Sequence, residues 1–435
     1  MRIIFSAGTW VGLIFFILLG CAGTNVQRHR GIVIHQTENA AGLMVGFPPP
    51  PDRRVSTDNW QNTPYNSWGF FNVSKFLPTT SISRGFKPTK ILIRWTKNIN
   101  LITFDDREGN LMSVGQMLKA THTDGFIVII DRKIVSEQYF NGMPPAARHI
   151  IWSCSQSIIG SLVGVFVNNG QLDLNASVAE YIPELARSGF GDATLRQVLD
   201  MQVALDYSED FNTDAAPNVR QLYRAAGFGP ARTPEENSIY DFLPTIGKKG
   251  EHGVVFQYAT PNTEVLGWIL ERVSGKSLAQ LLSDRIWARL GAERDAYSVV
   301  NRVGSMSPGG GINLTLRDFA RFGLMQQSNG RFNNRQIIPD TWINGIESDA
   351  NKSAFKKSTA ARLFPQGSYR NQWWVTGNPH RAYMAIGIYG QFLYINPKSK
   401  IVIAKMSSYP KPVNPEFTFI TLKAFEAISS SLEKL

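Results

Sequence analysis

Two strand–turn–strand patterns at opposite ends of the chain constrain its fold more than any other feature. The first, GFIVIIDRKIVSEQYFNG at residues 125–142, sets two apolar runs around a DRK turn. The second, YMAIGIYGQFLYINPKSKIVIAKMSS at 383–408, reads as strand, turn at NPKSK, strand. Runs rich in β-branched and aromatic residues, bounded by turn formers, are hairpin signals. Between them the pattern turns helical, as in TLRQVLDM and NTEVLGWILERVSG, with long loops. GGGINLTLRDFARFGLMQQSNG (309–330) is a glycine loop followed by an amphipathic helix, and a last helix is expected from Pro415. Hairpins at both ends imply an antiparallel sheet assembled from distant segments. The expected class is α+β: an antiparallel sheet flanked by helices, with a second, mostly helical lobe over about 172–300. A chain of 435 residues is long enough for two such lobes.

Residues 1–21 have a different character. Arg2 precedes the apolar run IIFSAGTWVGLIFFILLG, and Cys21 follows it. A basic start, an apolar core and small residues near the end read as a secretory signal. LLGC is similar to the lipobox of bacterial lipoproteins, in which the cysteine, here Cys21, is the lipid attachment point. The alternative is an uncleaved anchor, since the run is about long enough to span a bilayer. Either reading tethers the chain to membrane lipid through its N-terminus. The body is then expected in the cell envelope, facing the periplasm or the extracellular side. Residues 22–59 end in GFPPPPDRR and are expected to form a Pro-rich spacer, because four prolines fit neither helix nor central strand. Residues 60–435 then hold the main domain, beginning with an extended arm packed on the body.

Forty-five Lys and Arg against 34 Asp and Glu give a net charge of +11. These basic residues are scattered, with no basic helix or aromatic-basic ribbon, which argues against nucleic acid as a partner. The excess suits a solvated basic surface or attraction to anionic lipid and acidic envelope polymers. Two cysteines, Cys21 and Cys154, define no disulfide framework. Six dispersed histidines without an HExxH pair give no expectation of a protein metal site, and no cofactor is expected.

The chemistry concentrates in RHIIWSCSQSIIGSLVG, residues 148–164. A helix opening near Ser153 would run to VNNG, where Asn169-Gly170 stop it. It would place the serine oxygen at a helix N-terminus, where free N–H groups favour developing negative charge. A nucleophilic serine also needs a proton acceptor. A lysine three residues on would share its helix face, but that position is Gln156. Cys154 is turned about a quarter-turn or more from Ser153 and is expected to pack inward. Trp373-Trp374 fits either a cleft wall or the core.

In order and spacing, eight stretches resemble the serine β-lactamase and penicillin-binding protein superfamily. They are TDGFIVIIDRKIVSEQYFNGM, LDLNASVAEYIPELARSGF, ATLRQVLDM, FQYATPNTEVLGWILERVSG, GGGINLTLRDFARFG, IIPDTWI, NQWWVTG and GIYGQFLYINP. The likeness is greatest to the branch of class C β-lactamase-like esterases and 6-aminohexanoate-dimer hydrolases. It implies an antiparallel sheet with flanking helices and a helical lobe, with the site between them. The family's S-x-x-K motif falls on Ser153-Cys154-Ser155-Gln156, keeping the nucleophile and losing the base. Its tyrosine falls on Tyr258, the asparagine two residues on falls on Thr260, and Asn262 stands nearby. Its third motif, a strand bearing Lys or His, then a small residue, then Gly, falls on Ile388-Tyr389-Gly390. The resemblance assigns the oxyanion hole to the backbone N–H groups of Gln391 and Ser153.

The departures weigh unequally. Without the third-motif cation a handle for a substrate carboxylate is gone. A carboxamide at position 156 has no useful basicity, nor can it lower the phenol pKa of about 10. Loss of a general base costs roughly 10²–10⁴-fold in rate. Two readings follow. One is a membrane-tethered serine hydrolase of small-molecule esters or amides, working through an acyl-Ser153 intermediate. The other is a catalytically silent member binding an envelope ligand or a protein partner. A literal S-x-x-K at Ser353–Lys356 and the near G-x-S-x-G in GSMSPGG stand outside the motif order and read as chance matches.

Overall fold

The structure is a computed structural model that describes residues 26–29, 31–35, 42–89, 92–211, 217–348 and 350–434. The signal segment and Cys21 lie outside the described residues. Among the described residues no helix is long and apolar enough to cross a membrane.

Ten strands form the central sheet: β1 (Val26–His29), β2 (Ile32–His35), β3 (Ile93–Arg94), β4 (Thr123–Ile130), β5 (Lys133–Tyr139), β6 (Ser368–Arg370), β7 (Trp373–Val375), β8 (Tyr383–Gly387), β9 (Gln391–Asn396) and β10 (Ile401–Ser407). Their order is β1-β2-β5-β4-β10-β9-β8-β7-β6, with β3 also beside β5. The two expected hairpins, β4–β5 and β9–β10, meet through the antiparallel β10·β4 pair. Asp131 and Arg132 turn the first hairpin at φ +43° and +65°, the sign that two-residue loops of the favoured hand require. The sheet is mixed rather than wholly antiparallel, because β2 and β3 both run parallel to β5.

Strand alternation makes this sheet a partition between two cores. Ile127, Ile129, Leu393 and Val402 face one side; Phe126, Val128, Phe392 and Ile403 face the other. Three long helices fill the first side: α1 (Cys154–Asn168), α2 (Pro261–Ser274) and α3 (Leu316–Gln327). The second side is covered by α4 (Pro415–Leu432) and a short helix at Val114–Ala120. Helix α2 has the expected terminal punctuation: Pro261 at its first turn and Gly275 at φ +66° as its stop.

Residues from Leu172 to about 295 carry short helices around α2, with a two-stranded piece at Leu205–Asp206 and Gly247–Lys248. The expected boundary near 300 moves back, because Ala296–Val299 joins a separate four-stranded sheet with Thr79–Ile82, Ile312–Leu314 and His149–Ile150. The spacer reading of 22–59 is also corrected. β1 and β2 extend the main sheet, and Leu43 and Val55 are buried with Trp60 in the second core. Their apolar side chains find burial on the body, which outweighs the stiffness of the intervening prolines.

Candidate active site

Ser153 stands where the chain turns into α1. Trp152, immediately before it, is held at φ +46°, a left-handed conformation that costs a non-glycine residue on the order of 1 kcal/mol or more. Packing holds it there. The buried indole stacks on Trp60 at 5.5 Å and meets Phe70, Phe228 and Tyr389 at 5.4–5.6 Å. The turn lets Ser153 adopt helical dihedrals at the N-terminus of α1, with its side chain left uncommitted to capping. Opposite it, β8 ends at Gly387. A Cβ there would lie 2.6 Å from the Ile151 carbonyl and 3.2 Å from the Ser153 amide nitrogen, so only glycine lets the strand approach this closely.

Tyr258 and Thr260, just ahead of α2, complete the constellation. The Tyr258 hydroxyl donates to Gln156 Oε1 at 3.1 Å, and Tyr258 lines the same cavity as Ser153. Gln156 Nε2 donates to the Gly309 carbonyl at 3.2 Å and reaches Thr260 Oγ1 at 3.5 Å. These two acceptors orient the amide so that its carbonyl faces the phenol. Thr260 in turn donates its N–H to Glu209 Oε2 at 2.9 Å and its hydroxyl to Glu209 Oε1 at 2.5 Å. Beneath Gly309 lies Glu264, whose Oε1 accepts the Gly309 N–H at 3.1 Å while its buried Oε2 has no partner.

Of the predicted residues, Tyr258, Gln156 and Thr260 thus meet in one network, beside the cavity that Ser153 also lines. Asn262 does not join it; its buried amide donates to the Ala259 carbonyl and to Met201 Sδ, which locks the first turn of α2. The third motif differs from expectation. Ile388-Tyr389-Gly390 is the turn between β8 and β9 rather than part of a strand. Tyr389 points into the ring cage of Trp152. Gln391 is fully buried in β9, its side-chain amide donating to the Ser407 carbonyl at 2.7 Å. The residues that border the cleft here are Gly387, Ile388 and Gly390, not Gln391.

That cleft is a cavity of about 190 Å³. Ser153, Tyr258 and Glu209 supply its reactive groups, and Phe211, Trp374, Ile386 and Phe392 its apolar walls. No Lys, Arg or His lines it among the described residues. The tryptophan pair divides by strand alternation. Trp374 lines the cavity and stacks on Tyr258 at 5.4 Å, while Trp373 is buried against Phe322. Cys154 is buried away from the cavity with its thiol at 3.5 Å from the Gln391 carbonyl, and burial pushes its pKa up, away from nucleophilic use. Ser353 and Lys356 are exposed on the short helix Lys352–Lys356 rather than in a loop, and they remain unrelated to the site.

Electrostatically the site pairs buried carboxylates and a phenol with no lining cation among the described residues. Burial first, and then the charge of Glu209, drive the Tyr258 phenol well above its ordinary value; hydrogen bonds to Ser153 and Gln156 offset this in part. Desolvation raises Glu209 to about 7, against the pull of its Thr260 bonds. It raises Glu264 to about 8, against the Gly309 N–H and Ser307. Glu209 and Glu264 are not singled out by the sequence. Glu209 sits in an irregular loop with no periodic signal, and Gly309 opens the glycine loop at 309–311 without a motif that names its role.

A sequence profile of the beta-lactamase family matches residues 114–424. The 6-aminohexanoate-dimer hydrolase of Paenarthrobacter ureafaciens is 36% identical over 357 residues, covering 82% of this chain and 88% of that protein. Among solved structures, a Bacillus anthracis protein assigned provisionally as a 6-aminohexanoate-dimer hydrolase superposes with a TM-score of 0.78. It is 31% identical, and the match covers 89% of this chain and 99% of that one. A D-stereospecific amidohydrolase from Streptomyces shares the fold at a TM-score of 0.53 and 14% identity, over 72% of this chain and 96% of its own.

Proposed function

The chain belongs to the beta-lactamase family, as a serine hydrolase of the amidase and esterase type, and on that premise we propose that it is tethered to a membrane and works through an acyl-Ser153 intermediate. The observation that carries this reading is that Ser153 and Tyr258 line one cavity, with the phenol donating to Gln156. It keeps the nucleophile and its phenol partner at one site although position 156 is a glutamine. Attack by Ser153 Oγ on a substrate carbonyl develops an oxyanion. The Ser153 N–H at the start of α1 is one donor for it. On the facing edge the Ile388 amide takes the role expected of Gln391, because Ile388 borders the cavity and Gln391 does not.

The walls select the substrate. Phe211, Trp374, Ile386 and Phe392 favour an apolar, linear acyl chain. Among the described residues the cavity offers no cation to a carboxylate beside the scissile bond, so β-lactams are expected to be poor substrates. The named relative acts on a 6-aminohexanoate dimer, a linear amide, which fits the same class. The silent-member reading draws on Gln156 alone.

The test is a fluorophosphonate probe applied to membranes of cells expressing the full chain. Ser153 should be labelled, and Ser153→Ala should abolish both labelling and hydrolysis of p-nitrophenyl butyrate. Cys21→Ala should move the labelled protein to the soluble fraction. A correctly folded protein that neither labels nor hydrolyses esters or amides would favour the silent reading.

A further inference from the structure

The acyl-serine reading leaves one proton without a destination. Ser153 must lose its hydroxyl proton, and the family's acceptor is replaced by a carboxamide. Tyr258 is a poor substitute. Its own O–H is committed to Gln156 Oε1, and the orientation of that amide is fixed from behind by the Gly309 carbonyl. Glu264 is walled off beneath Gly309 and does not border the cavity. The remaining basic group is Glu209, the only carboxylate among the described residues lining the cavity that Ser153 and Tyr258 share.

We propose that Glu209 is the general base of this site, receiving through a water molecule in the cavity the proton that Ser153 loses. Its geometry suits the task. Thr260 holds both carboxylate oxygens, one through its N–H and one through its hydroxyl, so the group is fixed rather than mobile. Each ionised oxygen keeps a further lone pair for the water. The cavity volume of about 190 Å³ accommodates a water, which occupies about 30 Å³ in the liquid, together with a reacting carbonyl.

In acylation the Ser153 Oγ–carbon bond forms as the serine proton passes by way of the water to Glu209. The carboxylic acid then returns that proton to the departing alcohol or amine as its bond to the carbonyl carbon breaks. In deacylation a water attacks the acyl carbon and its proton goes to Glu209. The Ser153 Oγ–carbon bond breaks, and the proton restores the serine hydroxyl.

Among the described residues, the titratable groups that interact with Glu209 are Tyr207 on its own loop, Tyr223 from the helix Val219–Ala225 and Tyr258, and Asp210 is its neighbour in the chain. None is a cation. Burial raises Glu209 to about 7, and the base form is present above that value.

This inference rests on the acyl-serine reading, and the test separates the two. Steady-state hydrolysis of p-nitrophenyl butyrate is followed from pH 5 to 9 in the parent, Glu209→Gln, Glu209→Asp and Ser153→Ala. The parent kcat/KM should rise with pH through about 7. Glu209→Gln should lower kcat/KM by roughly 10²–10⁴-fold and abolish that acid limb. Glu209→Asp, which keeps the charge, should recover part of the rate together with the limb. A merely structural role for Glu209 would leave the limb in place. Hydrolysis that requires Ser153 yet is within about tenfold of the parent in Glu209→Gln would overturn the role of Glu209 and spare the hydrolase reading. So would a parent profile with no acid limb, a result that needs no variant to fold. Hydrolysis unaffected by Ser153→Ala would bring down both.

Discussion

Two buried acidic regions of this molecule differ in one respect. Beside α3, the buried Glu137 and Asp318 and the half-buried Glu293 each have an arginine. Glu137 accepts from Arg317 Nε at 2.6 Å and also pairs with Arg94; Asp318 accepts from Arg321 at 2.8 Å and Glu293 from the same guanidinium at 2.6 Å. Burial raises Glu293, but Arg321 and Arg317 pull it further down, to a net value below the ordinary one. At Asp318 burial still outweighs Arg321. Around Gln156 the carboxylates Glu209 and Glu264 are held only by neutral donors, and desolvation raises them to about 7 and about 8. The first region is a brace between helix and sheet. The second has the acidic surroundings of a buried cation with a neutral amide at the centre. Carboxylates with guanidinium partners are already committed to structure, whereas those without one keep a proton affinity in the range where catalysis needs it.

The strongest way to break this contrast is Arg321→Met. Removing Arg321 leaves the buried Asp318 without a cation and Glu293 with Arg317 alone, and should cost about 3–5 kcal/mol in urea unfolding. A cost below about 1 kcal/mol would show that the brace does not stabilise. Next comes Gln156→Lys, which places an ammonium near Thr260 Oγ1, the Gly309 carbonyl and Tyr258, between the two carboxylates. Hydrolysis should then cease to depend on Glu209. In that background Glu209→Gln should cost less than tenfold, against roughly 10²-fold or more in the parent, a difference of at least about 1.4 kcal/mol. A full loss in both backgrounds would mean that the introduced lysine is not the base.

The smallest effect belongs to Glu264→Gln. The folded-state value of Glu264, about 8, lies above its ordinary 4.5. Its contribution is therefore fully present below pH 4.5 and is lost as pH rises through 8. A glutamine keeps an acceptor for the Gly309 N–H and carries no charge. Its thermal stability should fall less than the parent's between pH 5 and 9, leaving it the more stable of the two at pH 9. Equal pH slopes in the two proteins would remove Glu264 from the comparison.

The hairpins, α1 and the start of α2 were legible because each has a local cause, whereas the pairing of Ser153 with Tyr258 was legible only through the family resemblance. A two-residue turn at Asp131-Arg132, a serine ahead of an apolar helical run and a proline opening α2 are all written in adjacent residues. The third motif was misplaced by its own repetition. Glycine occurs at both 387 and 390, and spacing alone does not say which one ends the strand; the close approach to Ile151 and Ser153 does. The parallel pairings of β2 and β3 depend on where short segments land along β5, so no period announces them. Glu209 becomes visible only when the loop that bears it is set against Thr260, 51 residues later in the chain.

The cage around Trp152 also sets an order of events. Its rings come from Trp60, Phe70, Phe228 and Tyr389, so the turn presenting the nucleophile is supported by four separate stretches of chain. Contacts so distant in sequence are slow to form, because long loops must close before they return any energy. The strained backbone before Ser153 has little reason to persist until the last of them docks. Activity should therefore appear late in folding, after most of the secondary structure, and a nascent chain that has not yet delivered Tyr389 should be inert.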